Sequence, residues 1–138
     1  MLLIKYLLMF IIFSHSEKPP RLTVTVDNIN NIEGVIRLAV FKNDGNFLKK
    51  GMAYKRYVIK VNSKRETVVI GDLPPGTYAI SLYHDKNSDG NLNLNALGLP
   101  KEPYAFSNNF RPKLAAPQFS DCKFDFVSDK KITISLLK

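Results

Sequence analysis

The densest chemistry in the chain lies in Tyr83-His84-Asp85-Lys86-Asn87-Ser88-Asp89-Gly90-Asn91-Leu92-Asn93. Asp85, Asn87 and Asp89 stand at the first, third and fifth positions of a D-x-N-x-D-G pattern. Gly90 follows at the sixth position, where calcium loops turn sharply. Asn91 offers its backbone carbonyl next, and Asn93 falls two residues further on. Calcium is a hard cation that takes about six to eight oxygen ligands, and this spacing wraps oxygens around one point. The bidentate Glu that closes an EF-hand loop is missing, because Ala96 stands there, and the segment follows a strand rather than a helix. A true EF-hand is therefore not expected. Further ligands would come from Asn95, Glu102 or water. With two certain carboxylates the affinity belongs toward the ~10⁻⁴–10⁻³ M class of extracellular sites. The same residues also suit an Asx-rich turn, in which Asn and Asp bond their own backbone.

His84 beside Asp85 invites a catalytic reading, since His is the commonest general base and a carboxylate can orient it. Neighbours on a strand point to opposite faces, however. His84 shares the side of Tyr78, Ile80 and Leu82, and Asp85 takes the other, so His84 reads as a structural hydrogen-bonder. An enzyme would have to use His84 with Asp85 or Glu102. No nucleophile elbow or Cys/His pair accompanies them. Cys122 alternates with Phe124 and Phe126 and reads as a buried core thiol. A non-enzymatic protein is expected.

These residues must be positioned by strands. Period-2 runs occur at 22–26, 35–41, 57–61, 67–70, 77–83, 123–127 and 132–136. They predict an all-β fold: one seven-stranded antiparallel Greek-key β-sandwich, immunoglobulin-like or transthyretin-like. Residues 46–54 are the one candidate short helix, with Phe47, Leu48 and Met52 facing inward. In Asp72-Leu73-Pro74-Pro75-Gly76-Thr77-Tyr78, the Pro-Pro-Gly forces a tight turn. Tyr78 can then bond its hydroxyl back across the corner. Residues 86–120 show no convincing strand, yet contain Leu97, Leu99, Tyr104, Phe106, Phe110, Leu114 and Phe119. A loop so rich in apolar residues is expected to pack on the sheets.

The chain has 138 residues, enough for one domain. Residues 1–16 read as a secretory signal peptide: Lys5, then an apolar run to Phe13, then Ser14-His15-Ser16. The run is too short to span a bilayer, and no transmembrane segment is expected after its removal. Residues 17–138 would then form the exported domain, periplasmic or secreted. Loss of Lys5 lowers the net charge from +8 to +7. A single Cys excludes an internal disulfide. Between Lys42 and Arg65 there are eight basic residues against one acid, Asp44. Lys49, Lys50, Lys55, Arg56, Lys60, Lys64 and Arg65 form the candidate basic patch. Such a band suits an anionic envelope surface or an acidic protein or glycan, or simply a solvated face. Nucleic acid is not expected, since no series of stacking aromatics accompanies the charge.

Three segments together are specific. They are Leu73-Pro74-Pro75-Gly76-Thr77-Tyr78-Ala79-Ile80, the Tyr83–Leu92 run, and Gly98-Leu99-Pro100-Lys101-Glu102-Pro103-Tyr104-Ala105-Phe106-Ser107-Asn108-Asn109. In order and spacing, residues 22–138 resemble the exported bacterial family catalogued as domain of unknown function 2141. The resemblance implies an exported bacterial protein with a small β fold and supplies no catalytic residues. Family members often have Asp where Asn93 stands and Gly where Pro103 stands. Ser107, Asn108 and Asn109 are expected to clamp the long loop by hydrogen bonds, or else to contact a ligand with His84, Tyr104 and Phe106. In the leading expectation, an ion orders the 86–120 loop, which presents Tyr104, Phe106 and Ser107–Asn109 to a partner.

Overall fold

A computed structural model describes residues 17–138; the expected signal peptide at 1–16 lies outside the described residues. Among the described residues, eight strands form two sheets. Strands β1 (Leu22–Asp27), β4 (Glu66–Ile70) and β8 (Lys130–Ser135) make a three-stranded sheet with β1 in the middle. Strands β2 (Val35–Lys42), β3 (Lys55–Lys60), β5 (Gly76–Asp85), β6 (Tyr104–Phe106) and β7 (Phe124–Phe126) make the other.

Alternation explains the layers. On β1, Leu22, Val24 and Val26 are buried, and Thr23 and Thr25 turn outward. On β2, Ile36, Leu38 and Val40 face inward, joined by Ile80 and Leu82 of β5 and Ile134 of β8. Both sheets therefore cover one apolar core. A smaller cluster of Ala79, Phe106 and Cys122 sits on the outer face of the larger sheet, flanked by Phe47, Leu48, Phe110 and Phe119. The Tyr78 hydroxyl donates to the Pro74 carbonyl at 2.6 Å, which pins the turn into β5.

Three expectations need correction. The strands number eight rather than seven, and the smaller sheet is mixed, because β1 pairs with β8 in parallel. Side-chain alternation is the same for either direction of pairing, so the residue pattern carries no sign of this. Residues 46–54 form turns, not a helix: Leu48 and Gly51 have left-handed backbones, and Met52 is half exposed. Residues 86–120 are not wholly irregular. They hold β6, a tight turn at Ser107–Asn109 and the start of the single-turn helix α1 (Phe119–Cys122).

The ten residues of β5 outrun their partners. Along one edge, β7 pairs with Gly76–Tyr78 and β6 with Ser81–Tyr83. Ser107 fills the gap between them. Its buried hydroxyl accepts from the Ile80 amide at 2.8 Å and donates to the Cys122 carbonyl at 2.5 Å. Without it both backbone groups would be buried and unpaired, at a cost.

Candidate functional site

The site is built at the C-terminal end of β5. His84 is on the core face and Asp85 on the outer face, as alternation requires. His84 is buried; its amide donates to the Pro103 carbonyl at 2.8 Å, and its Nε2 meets the Glu33 carbonyl at 2.7 Å. Its Nδ1 is buried without a partner. His84 and Asp85 therefore do not pair with each other.

Asp85 is the hub. Its side chain is fully buried, while that of Arg37 on β2 is 32% exposed. In the β2–β5 register Arg37 lies opposite Tyr83, so it reaches Asp85 diagonally across the outer face. Arg37 Nε donates to Asp85 Oδ2 at 2.6 Å. The Gly90 amide donates to the same oxygen at 2.9 Å, and the Asp89 amide to Oδ1 at 3.1 Å. Burial pushes the Asp85 carboxyl up, but Arg37 and these two amides outweigh it and hold it below the ordinary carboxylate value. The bond to Asp85 raises the Arg37 guanidinium further.

The rest of the loop coils around this hub. The Asp89 amide is shared with Asn87 Oδ1 at 3.3 Å, and the Asn91 amide donates to Asp89 Oδ1 at 2.9 Å. Asn87 Nδ2 donates to Asp89 Oδ2 at 3.2 Å. Ser88 and Gly90 take left-handed backbones that let the chain reverse. Glu102 straps the base of the loop from a buried position, accepting from the Lys86 amide at 3.2 Å and the Asn93 amide at 3.5 Å. Asn95 is turned to its own segment, where Oδ1 caps the amides of Leu97 and Leu99. The structure thus gathers Asp85, Asn87 and Asp89 and sets Asn95 and Glu102 to holding the backbone. Among the described residues, no three His, Cys, Asp or Glu side chains come together as a metal-binding group. A cation here would draw on two carboxylates, Asn oxygens and backbone carbonyls, with the Arg37 charge already on one carboxylate.

Ser107, Asn108 and Asn109 are spent on internal bonds. Asn108 Nδ2 donates to the Lys123 carbonyl at 2.8 Å. Asn109 Nδ2 donates to the Thr133 carbonyl at 3.1 Å, and its Oδ1 accepts from the Ser135 amide at 2.8 Å. The Asn109 amide group pairs with β8 as a strand would. Asn108 and Asn109 both have left-handed backbones, which Asn tolerates better than most residues. Phe106 and Ser107 are buried, and Tyr104 pairs with Leu137 through two backbone bonds. Burial takes Phe106 and Ser107 away from any partner, whereas Asn108 and Asn109 are exposed while their side chains bond neighbouring strands.

The basic band follows the opposite flank. Lys55 pairs with Asp72 at 3.2 Å, and the Tyr57 hydroxyl donates to Asp72 at 2.5 Å. Lys42 Nζ lies 3.6 Å over the Tyr54 ring. Arg56 and Lys60 point outward from β3, Lys49 and Lys50 lie in the preceding turns, and Lys64 and Arg65 lie at the corner into β4.

Two essential residues escape a reading of the loop alone. Arg37 is the lone basic residue on its face of β2, the same face as Asp85, and that parity was the available signal. Gly34 has φ +65°, and a Cβ there would lie 2.1 Å from the Asp85 carbonyl oxygen. Only the fold brings those two backbones together. Among the described residues no helix is long and apolar enough to cross a membrane.

No curated protein and no solved structure matches the chain. A family model described as "Uncharacterized protein conserved in bacteria (DUF2141)" matches residues 24–135, from within β1 to the last residue of β8. That span holds the Arg37–Asp85 hub, the coiled loop and the Ser107–Asn109 clamp, and on it the chain belongs to this bacterial family.

Proposed function

We propose that this protein is an exported, non-enzymatic binding module of the bacterial envelope whose 85–93 loop is a clasp tuned by a calcium-class cation. The carrying observation is the single Asp89 amide on which Asp85 Oδ1 and Asn87 Oδ1 converge. Oxygens aimed at one small donor are preset for a hard cation, and the D-x-N-x-D-G spacing offers Asp89 and the Asn91 carbonyl as further ligands. Arg37 offsets one of the two carboxylate charges, which places the affinity toward the weak, roughly millimolar end of extracellular sites. Export rests on the apolar leader at 1–16, and the envelope partner is an acidic protein or glycan.

A second reading has its own support. The 2.6 Å Arg37–Asp85 pair supplies a built-in cation, so the loop closes without metal and the module is metal-free. Calorimetric titration of chelator-treated protein with calcium, with melting curves alongside, separates the two. Saturable binding with a raised Tm supports the cation clasp. No heat and no shift up to several millimolar supports the metal-free module. Arg37→Gln sharpens the contrast: under the cation reading it lowers the metal-free Tm and tightens calcium binding, and under the metal-free reading it lowers Tm alone.

A further inference from the structure

The two flanks of the fold are finished differently. On one flank Tyr104 and Leu137 exchange backbone bonds between the sheets, and Asn109 caps the β8 edge. The other flank is bounded by the edge strands β3 and β4, joined by the corner at 61–65. The Val61 amide donates to the Gly34 carbonyl, which fixes the alternation of the β2–β3 ladder. Ile59, Tyr57 and Lys55 are then bonded to β2, while Arg56, Val58 and Lys60 turn their amides and carbonyls away from it. Among the described residues, no other element bonds those three backbones. Their side chains stand together on the outer face; Val58 is 59% exposed, and neither Arg56 nor Lys60 makes an ion pair.

We propose that the free edge of β3 accepts an extended acidic segment of a partner protein as an added strand. Main-chain bonds at Arg56, Val58 and Lys60 supply the pairing, and side-chain alternation supplies the selectivity. Acidic residues of the guest lie opposite Arg56 and Lys60, and a β-branched or apolar residue lies opposite Val58. The two intervening guest residues turn toward Tyr57 and Ile59, which are half-buried against the core. The recognised pattern is therefore acidic, apolar, β-branched, apolar, acidic. A lone acidic cluster in another conformation lacks the backbone match, and a neutral strand lacks the charge match. Lys60 and Asp85 flank the same β2 residue, Val35, but β2 separates them and the free backbone groups of Arg56, Val58 and Lys60 face away from the 85–93 loop, so the inference needs no cation there.

The test is a titration of the ¹⁵N-labelled protein with the capped peptide Gly-Glu-Val-Thr-Val-Glu-Gly. Shifts confined to β3 and its neighbours, with at least about tenfold slower amide exchange at Arg56, Val58 and Lys60, are the expected result. The peptide with Lys in place of Glu should bind at least about tenfold more weakly. The Glu peptide N-methylated on its edge-facing residues should lose binding without any change in the protein. Val58→Pro removes an outward amide and no ladder bond, so it should keep the native spectrum and lose the peptide. Arg56→Glu with Lys60→Glu should reverse the preference between the two peptides. Equal binding of Glu and Lys peptides, unchanged binding after N-methylation, or no β3 shift at millimolar peptide would overturn the proposal. Two further results would also overturn it: phosphatidylglycerol vesicles that displace the peptide and bind wild type and Val58→Pro alike, or self-association that protects the β3 amides without peptide.

Discussion

Asp85 concentrates the energetics of the loop in one side chain. It is fully buried, and it is tolerated because a guanidinium and two amides meet its oxygens. Its folded pKa lies below the ordinary unfolded value of about 3.9. The unfolded chain therefore binds a proton first as pH falls, and the stabilisation from this group is full above about pH 4 and lost below it. Urea melts from pH 7 down to pH 3 should show that acid limb in the parent and a flatter one in Asp85→Asn. Arg37→Gln should cost about 2 kcal/mol near neutral pH, the scale of a hydrogen bond to a charged group. Cys122 makes a second residue-level prediction. Burial pushes its thiol up to about 11, and it is wholly enclosed. Native protein at pH 8 should resist a thiol reagent, and protein in denaturant should react at once. Cys122 is buried as expected, but alternation with Phe124 and Phe126 is not the reason: it ends α1 and packs with Ala79 and Phe106 on the outer face, whereas the two Phe residues face the main core. The Arg37–Asp85 pair was not legible, because 48 positions separate them and only strand pairing makes them neighbours.

Strand positions were legible because alternation and turn residues act locally. All seven expected runs correspond to strands, and the bond from Tyr78 to Pro74 follows from the Pro-Pro-Gly turn. β6 was missed because three residues are too few to show a period. It exists because β5 offers an unpaired edge that β7 cannot cover. Ser107→Ala tests the seam between those two short strands. It leaves the Ile80 amide and the Cys122 carbonyl buried without a partner, and equilibrium unfolding should show a loss of about 2 kcal/mol. Gly34→Ala probes the contact of the β2 entry with the end of β5. The left-handed backbone and the 2.1 Å approach to Asp85 should together cost at least about 2 kcal/mol. Gly51→Ala, at a left-handed position with open space around it, serves as the control and should cost less.

Across the whole molecule, one flank is sealed by the long loop and the other is left open beside the basic band. The loop is not uniform: Tyr104–Asn109 is strapped to both sheets, whereas Leu92, Leu94, Leu97 and Leu99 on one side of it and Leu114 on the other are exposed. Limited proteolysis with thermolysin should therefore cut first within residues 92–99 and at Leu114, and leave Tyr104–Asn109 intact until global unfolding. Under the cation reading, calcium should slow the cut within residues 92–99 in the parent and not in a variant carrying Asp89→Ala. The surplus positive charge was plain from composition, but its place along an unpaired strand edge depends on which strands lie outermost.

The sequence by itself determined the β class, the positions of most strands, the inner and outer faces and the coiled Asp85–Asn93 segment. Each of these follows from interactions among residues close along the chain. Only the tertiary structure decided the parallel pairing of β1 with β8, the joining of Arg37 to Asp85, and the requirement for glycine at position 34. It also decided the use of Ser107–Asn109 as a clamp and the exposure of β3. These depend on which distant segments meet, and one alternating pattern is compatible with several pairings until the shared core selects among them.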